Sequence, residues 1–216
     1  MNNQLNFPVG ISDFKKIREN DYYIDKSGLI KELLKRVCRS YTDHPSETLW
    51  KNNGDGYACP FFDIRSDNRR LFDGLEIIYD EALCSAWMNQ YPVVFLTLKD
   101  IDGLTFEDAY ERLAVQISNL YKEHTYLLES ERMDSDDRTL FKELKSGSAG
   151  KIQIGQSLHT MSTALKDNTT LRFAVITGCL KIAKESIFTG TNNFVPDNIT
   201  DSRFNEYFGF TQEEVD

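Results

Sequence analysis

Phe173-Ala174-Val175-Ile176-Thr177-Gly178 runs into Cys179-Leu180-Lys181-Ile182-Ala183-Lys184-Glu185-Ser186-Ile187-Phe188, then Thr189-Gly190-Thr191-Asn192-Asn193-Phe194 and, further on, Tyr207-Phe208-Gly209-Phe210. The opening run is apolar, rich in β-branched and aromatic residues, and stops on Thr-Gly. That pattern predicts a buried strand. Leu180, Ile182, Ala183, Ile187 and Phe188 then fit a short helix that lays one face on a sheet. A strand followed by a helix in this way predicts an α/β domain. Open α/β sheets take ligands at the carboxyl ends of their strands, which makes Thr177 the candidate site residue. The plain alternative is an ordinary strand-to-helix turn.

Thr177 to Phe194 resembles the corresponding stretch of the bacterial AAA-ATPase-like family. These are P-loop proteins that often carry a restriction-endonuclease-like nuclease domain at the C-terminus. Phe7-Pro8-Val9-Gly10-Ile11-Ser12-Asp13-Phe14-Lys15-Lys16-Ile17-Arg18 is similar to the family's N-terminal signature, as is Tyr22-Tyr23-Ile24-Asp25-Lys26-Ser27. Tyr91-Pro92-Val93-Val94-Phe95-Leu96-Thr97-Leu98-Lys99-Asp100 resembles a mid-domain strand, and Tyr207 to Val215 extends the likeness. The resemblance implies one P-loop NTPase-like three-layer domain over residues 1–216. Val93–Leu98 and Phe173–Thr177 would be its central parallel strands. It implies ATP and magnesium as cofactors of intact relatives, a sensor role for Thr177, and nucleotide-facing positions for Asn192 and Asn193. The nuclease domain of longer relatives is expected to be absent after Asp216.

Two gaps interrupt the likeness. Holding phosphates needs Gly-x-x-x-x-Gly-Lys-Ser/Thr, whose backbone N–H groups and Lys cradle the anion. Cys38 to Pro60 stands where that loop belongs and does not contain it. The stretch has neither helix nor strand period, and Asn53-Gly54-Asp55-Gly56 is turn chemistry. Asp43, His44, Glu47 and Asp55 are conceivable metal ligands, but the simpler reading is a polar loop. Lys51 stands without the glycines.

The genetic code supplies a sharper account. Read one nucleotide out of frame, Trp50 followed by A becomes Gly, Lys51 becomes Lys or Arg, and Asn52 becomes Thr or Ile. With permitted codons, His44 through Ala58 become Thr-Arg-Pro-Arg-Arg-Phe-Gly-Lys-Thr-Met-Ala-Met-Ala-Met-Leu. That series resembles the family's phosphate loop and the helix after it. Two compensating frameshifts around residues 38–60 are therefore the working hypothesis. The second gap lies near residues 161–162. Ser157-Leu158-His159-Thr160-Met161 runs straight into Ser162-Thr163-Ala164-Leu165-Lys166-Asp167-Asn168. The family's acidic-tipped Walker B strand belongs between them, so a deletion is expected there. His159 reads as structural.

The remaining stretches read locally. Asp13 is placed to cap a helix over Phe14–Glu19. Leu29, Ile30, Leu33 and Leu34 have helical spacing. Arg65, Arg69 and Arg70 lie among Asp63, Asp67 and Asp73, a mutually paired surface. Ala82 to Met88 is expected to be helical. Asp100-Ile101-Asp102-Gly103 reads as a turn rather than a magnesium site. Thr105 and Asp108 mark a helix start, with Phe106, Ala109, Tyr110, Leu113, Ile117 and Leu120 as its apolar stripe. A short helix is expected at Thr139–Leu144. Ser146-Gly147-Ser148-Ala149-Gly150-Lys151 lacks phosphate-loop spacing and reads as a linker.

Composition sets the outer limits. At 216 residues, with 27% charged and 12% aromatic residues, one globular domain is the natural expectation. A formal net charge of −9 opposes nonspecific binding to nucleic acid. No apolar run approaches the ~20 residues of a membrane helix. Met1-Asn2-Asn3-Gln4 lacks a signal-peptide pattern. Cys38, Cys59, Cys84 and Cys179 have no metal-binding spacing, so reduced thiols in a cytoplasmic setting and no metal are expected. The functional expectation is an AAA-ATPase-like protein by descent that has lost ATP binding and hydrolysis. The alternative is a non-enzymatic α/β interaction module or pseudogene product. No catalytic residue is assigned, and the partner is unknown.

Overall fold

The structure, a computed structural model, describes residues 13–20, 23–39, 47–49, 55–98, 101–167, 170–176, 194–196, 205–207 and 211–215. Its elements in chain order are α1 (Phe14–Asn20), α2 (Gly28–Arg39), β1 (Glu47–Leu49), α3 (Asp55–Phe62), α4 (Glu81–Trp87), α5 (Phe106–Glu123), α6 (Ser135–Ser146), α7 (Lys151–Asp167), β2 (Ala174–Ile176), β3 (Phe194–Pro196) and α8 (Gln212–Val215). Short 3-10 turns cover Arg69–Phe72, Glu76–Tyr79, Thr125–Glu129 and Asn205–Tyr207. The chain divides into two compact units, one of residues 1–93 and 165–216, the other of residues 94–164.

The expected α/β P-loop architecture with parallel central strands is overturned. Helix dominates the described residues, in which each strand contributes three residues. These three pair in parallel in the order β2-β1-β3, with Thr48 opposite Val175 and Val195. Val93–Leu98, expected at the centre of a sheet, is neither helix nor strand. The local reason is visible beside it. Tyr91 forms a parallel bridge with Asp63, its N–H donating to Phe62 O at 3.0 Å and its carbonyl accepting from Ile64 N at 2.9 Å. Pro92 follows and has no N–H to continue the ladder. Apolar composition alone did not supply a pairing partner. Of the expected strand Phe173–Thr177, Ala174–Ile176 is strand, Phe173 is not, and Thr177 lies outside the described residues.

Residues 38–60 also differ from expectation. They contain β1 and most of α3, despite Pro60 inside that helix. The helix ends in Phe61 and Phe62, both buried, and burial of those rings overrides the weak local pattern.

The first unit is built around an aromatic core. Leu29, Ile30, Leu33 and Leu34 of α2 are all buried, one face of the expected helical spacing. They join Phe14, Phe61, Phe62, Phe72, Leu75, Ile77, Trp87 and Met88. Phe72 meets Phe61 edge-on at 5.3 Å between centroids and Phe14 at the same separation. Phe62 stands edge-on to Phe173 at 5.0 Å. Such pairs add about 0.5–1.5 kcal/mol beyond area burial. Asp13 caps α1 by accepting from Lys15 N and Lys16 N. Within the expected arginine cluster, Arg65 binds Asp63 at 2.7 Å and Arg69 lies 3.9 Å from Asp67. Arg18, from α1, donates to the carbonyls of Leu71 and Asp73.

The second unit is a set of three helices. Thr105 and Asp108 form a capping box at the start of α5, as their spacing predicts. Ile117 of the stripe is buried with Leu144 and Ile154, Leu120 is buried too, and Phe106 at the stripe's end is exposed. Asp134 caps α6, accepting from Asp136 N and Asp137 N. Gly147 closes α6 at φ 78, the left-handed cap that glycine adopts without a Cβ penalty. Residues 147–150 are then the linker to α7. Arg138 fastens the preceding loop, its guanidinium donating to the carbonyls of Leu128, Ser130 and Met133. α7 runs unbroken through residues 161–162, where the sequence places its deletion.

Candidate functional site

The residues assigned to nucleotide sensing, Thr177, Asn192 and Asn193, lie outside the described residues. His44 and Lys51 do too, while Asp55 begins α3. His159 is exposed on α7, and its carbonyl accepts from Ser162 Oγ and Thr163 Oγ1. Asp102 pairs with Arg112 at 2.7 Å, on a surface depression also lined by Leu104, Asp108 and Glu111. Among the described residues, no group of three or more His, Cys, Asp or Glu side chains is placed to hold a metal ion.

A polar constellation lies at the start of α2, in the first unit. Asp25 turns the chain there. Its Oδ1 accepts from Ser27 N at 2.8 Å and its Oδ2 from Glu76 N at 2.5 Å. Ser27 is fully buried, and its Oγ accepts from Ile77 N at 3.1 Å. The Asp-Lys-Ser turn thus satisfies the first N–H groups of the Glu76–Tyr79 turn, which would otherwise be orphaned. Gly28 comes next because the approach is close. A Cβ there would stand 2.9 Å from Glu76 Oε2 and 3.1 Å from Tyr207 Oη.

Lys26 reaches the other way. Its ammonium donates to Glu206 O at 2.6 Å and to both carboxylate oxygens of Glu214 at 2.6 and 2.8 Å. The Tyr22–Ser27 stretch and the Tyr207–Val215 stretch, far apart in sequence, are therefore joined by this pair. Spacing along the chain carries no signal for such a contact.

Two tyrosines flank the turn. Burial pushes the Tyr23 hydroxyl up to about 12, only partly offset by a Lys26 backbone group outside hydrogen-bonding geometry. Burial likewise raises Tyr207 to about 12, assisted by Glu32, Glu76 and Glu206. Both phenols stay protonated in the neutral range and are poor general bases there. Lys26 and Asp25 are committed to structural bonds. The arrangement is a clasp, with no nucleophile poised beside a base.

The clasp has a pH signature. The Lys26 hydrogen bond, then the Thr211 N–H, hold the Glu214 carboxyl below the usual carboxylate range. Its folded pKa is depressed, so its stabilisation is present above the unfolded pKa and lost as pH falls through the folded value. Limited proteolysis is expected to cut the 205–215 segment faster at pH 3 than at pH 7. In Glu214→Gln that acceleration should vanish, because the variant is already loosened at pH 7. Equal pH dependence in both chains would contradict the assignment.

No family model matches the chain. No solved structure matches it. A protein of Azotobacter chroococcum mcd 1, described as "Uncharacterized protein in vnfD 5'region", is 26% identical over 235 residues. The alignment covers 97% of this chain and 44% of that protein, so the chain spans less than half the length of the relative. At 235 residues the alignment is longer than the 216-residue chain itself, so the relative has residues in this interval that the chain lacks. Over nearly all its length the chain is similar to part of a longer protein whose description assigns no activity.

Proposed function

We propose that this chain is a non-enzymatic derivative of the AAA-ATPase-like family that neither binds nor hydrolyses ATP. The observation that carries the reading is the sequence itself. Gly-x-x-x-x-Gly-Lys-Ser/Thr occurs nowhere in the 216 residues. Phosphoryl transfer relies on positioning and charge neutralisation, and a chain without a phosphate loop or an acidic magnesium ligand keeps little of either. Descent from the family rests on the stretches quoted above. The proposed deletion near residues 161–162 rests on the juxtaposed stretches of sequence alone. The described residues are largely helical, and the polar groups around Asp25–Gly28 hold the chain's own turns together. Such a scaffold acts through contact rather than chemistry, as an interaction module or as the product of a decayed gene.

Calorimetric titration with magnesium-ATP tests this directly. No saturable heat is expected in the micromolar range, and no phosphate release above the buffer rate. Magnesium-dependent binding at micromolar ATP would overturn the proposal.

A further inference from the structure

We draw no further inference here: the strongest candidate, the pair of adjoining surface depressions along the first half of α5, where Asp102, Asp108 and Glu111 lie beside the exposed Leu104 and Val115, is an acidic patch, and nothing in the structure shows what covers it.

Discussion

Replacing Phe72 by Ala is expected to lower the stability of the first unit by about 3–5 kcal/mol, the range for deleting a fully buried aromatic ring. Phe72 is fully buried, and its ring is the hinge of an aromatic chain from Phe14 through Phe72 to Phe61. Removing it leaves two rings facing a void that backbone on three different elements must close. Domains of this kind are stable by only about 5–15 kcal/mol, so the loss is a large share. Phe72→Leu keeps most of the volume and should cost less. Tyr79, which is 77% exposed in the same region, provides the comparison. Tyr79→Ala should change stability by no more than about 0.5 kcal/mol. Urea denaturation followed by circular dichroism measures all three. A small effect at Phe72, similar to that at Tyr79, would contradict the placement of the core.

Asn89→Ala should cost about 2–4 kcal/mol, from two separable sources. Asn89 has φ 55, a left-handed backbone that Ala adopts at a penalty. Its side-chain amide donates to Ser66 O at 2.7 Å, Asp63 O at 2.9 Å and Pro60 O at 3.4 Å, gathering the loop after α3. Asn89→Gly removes the amide but not the backbone freedom. It should therefore recover about 1 kcal/mol relative to the alanine variant. Equal stabilities for the Ala and Gly variants would mean that the left-handed backbone contributes nothing. No loss in either would mean that the amide bonds contribute nothing.

The parts of the fold that were legible in the sequence are those decided within a few residues. Asp13 and the Thr105–Asp108 pair act on backbone groups two or three positions away, and each performs the capping its residue type implies; Gly147, read only as linker, turns out to close α6. The apolar spacing in α2 and α5 located their buried faces, although Phe106 at the end of the α5 stripe is exposed. The sheet was not legible in the same way. Val93–Leu98 has strand composition, yet strand formation depends on a neighbour, and Pro92 ends the one pairing that begins beside it. The reverse happened at Glu47–Leu49 and Asp55–Phe62, where order arises without a local pattern. Asn89 and Arg138 gave no signal, because a loop hub is defined by carbonyls that fold around it. The Lys26–Glu214 pair crosses almost the whole chain, and nothing in either residue names the other. As for the candidate site, its expected residues Thr177, Asn192 and Asn193 lie outside the described residues. The groups that do converge, around Asp25–Gly28, came from a stretch picked out for family likeness rather than for chemistry.

The central claim is that residues 38–60 are the out-of-frame remains of a phosphate loop. Sequencing the coding DNA between Val37 and Phe61, and reading its other forward frame, tests this most directly. The account predicts a series close to Arg-Pro-Arg-Arg-Phe-Gly-Lys-Thr across Pro45 to Asn52. Trp50 must be TGG, and an A must follow it from either Lys codon, so the glycine is forced. The flanking letters are free to refuse. Thr48 must carry a third-position G, and Leu49 must begin with C, for the shifted frame to spell Arg-Phe. If the frame spells the motif, His44, Lys51 and Asp55 have no selected role, and replacing them should change nothing. A stop codon in that frame, a Thr48 codon without the G, or a Leu49 codon beginning with T would contradict the account.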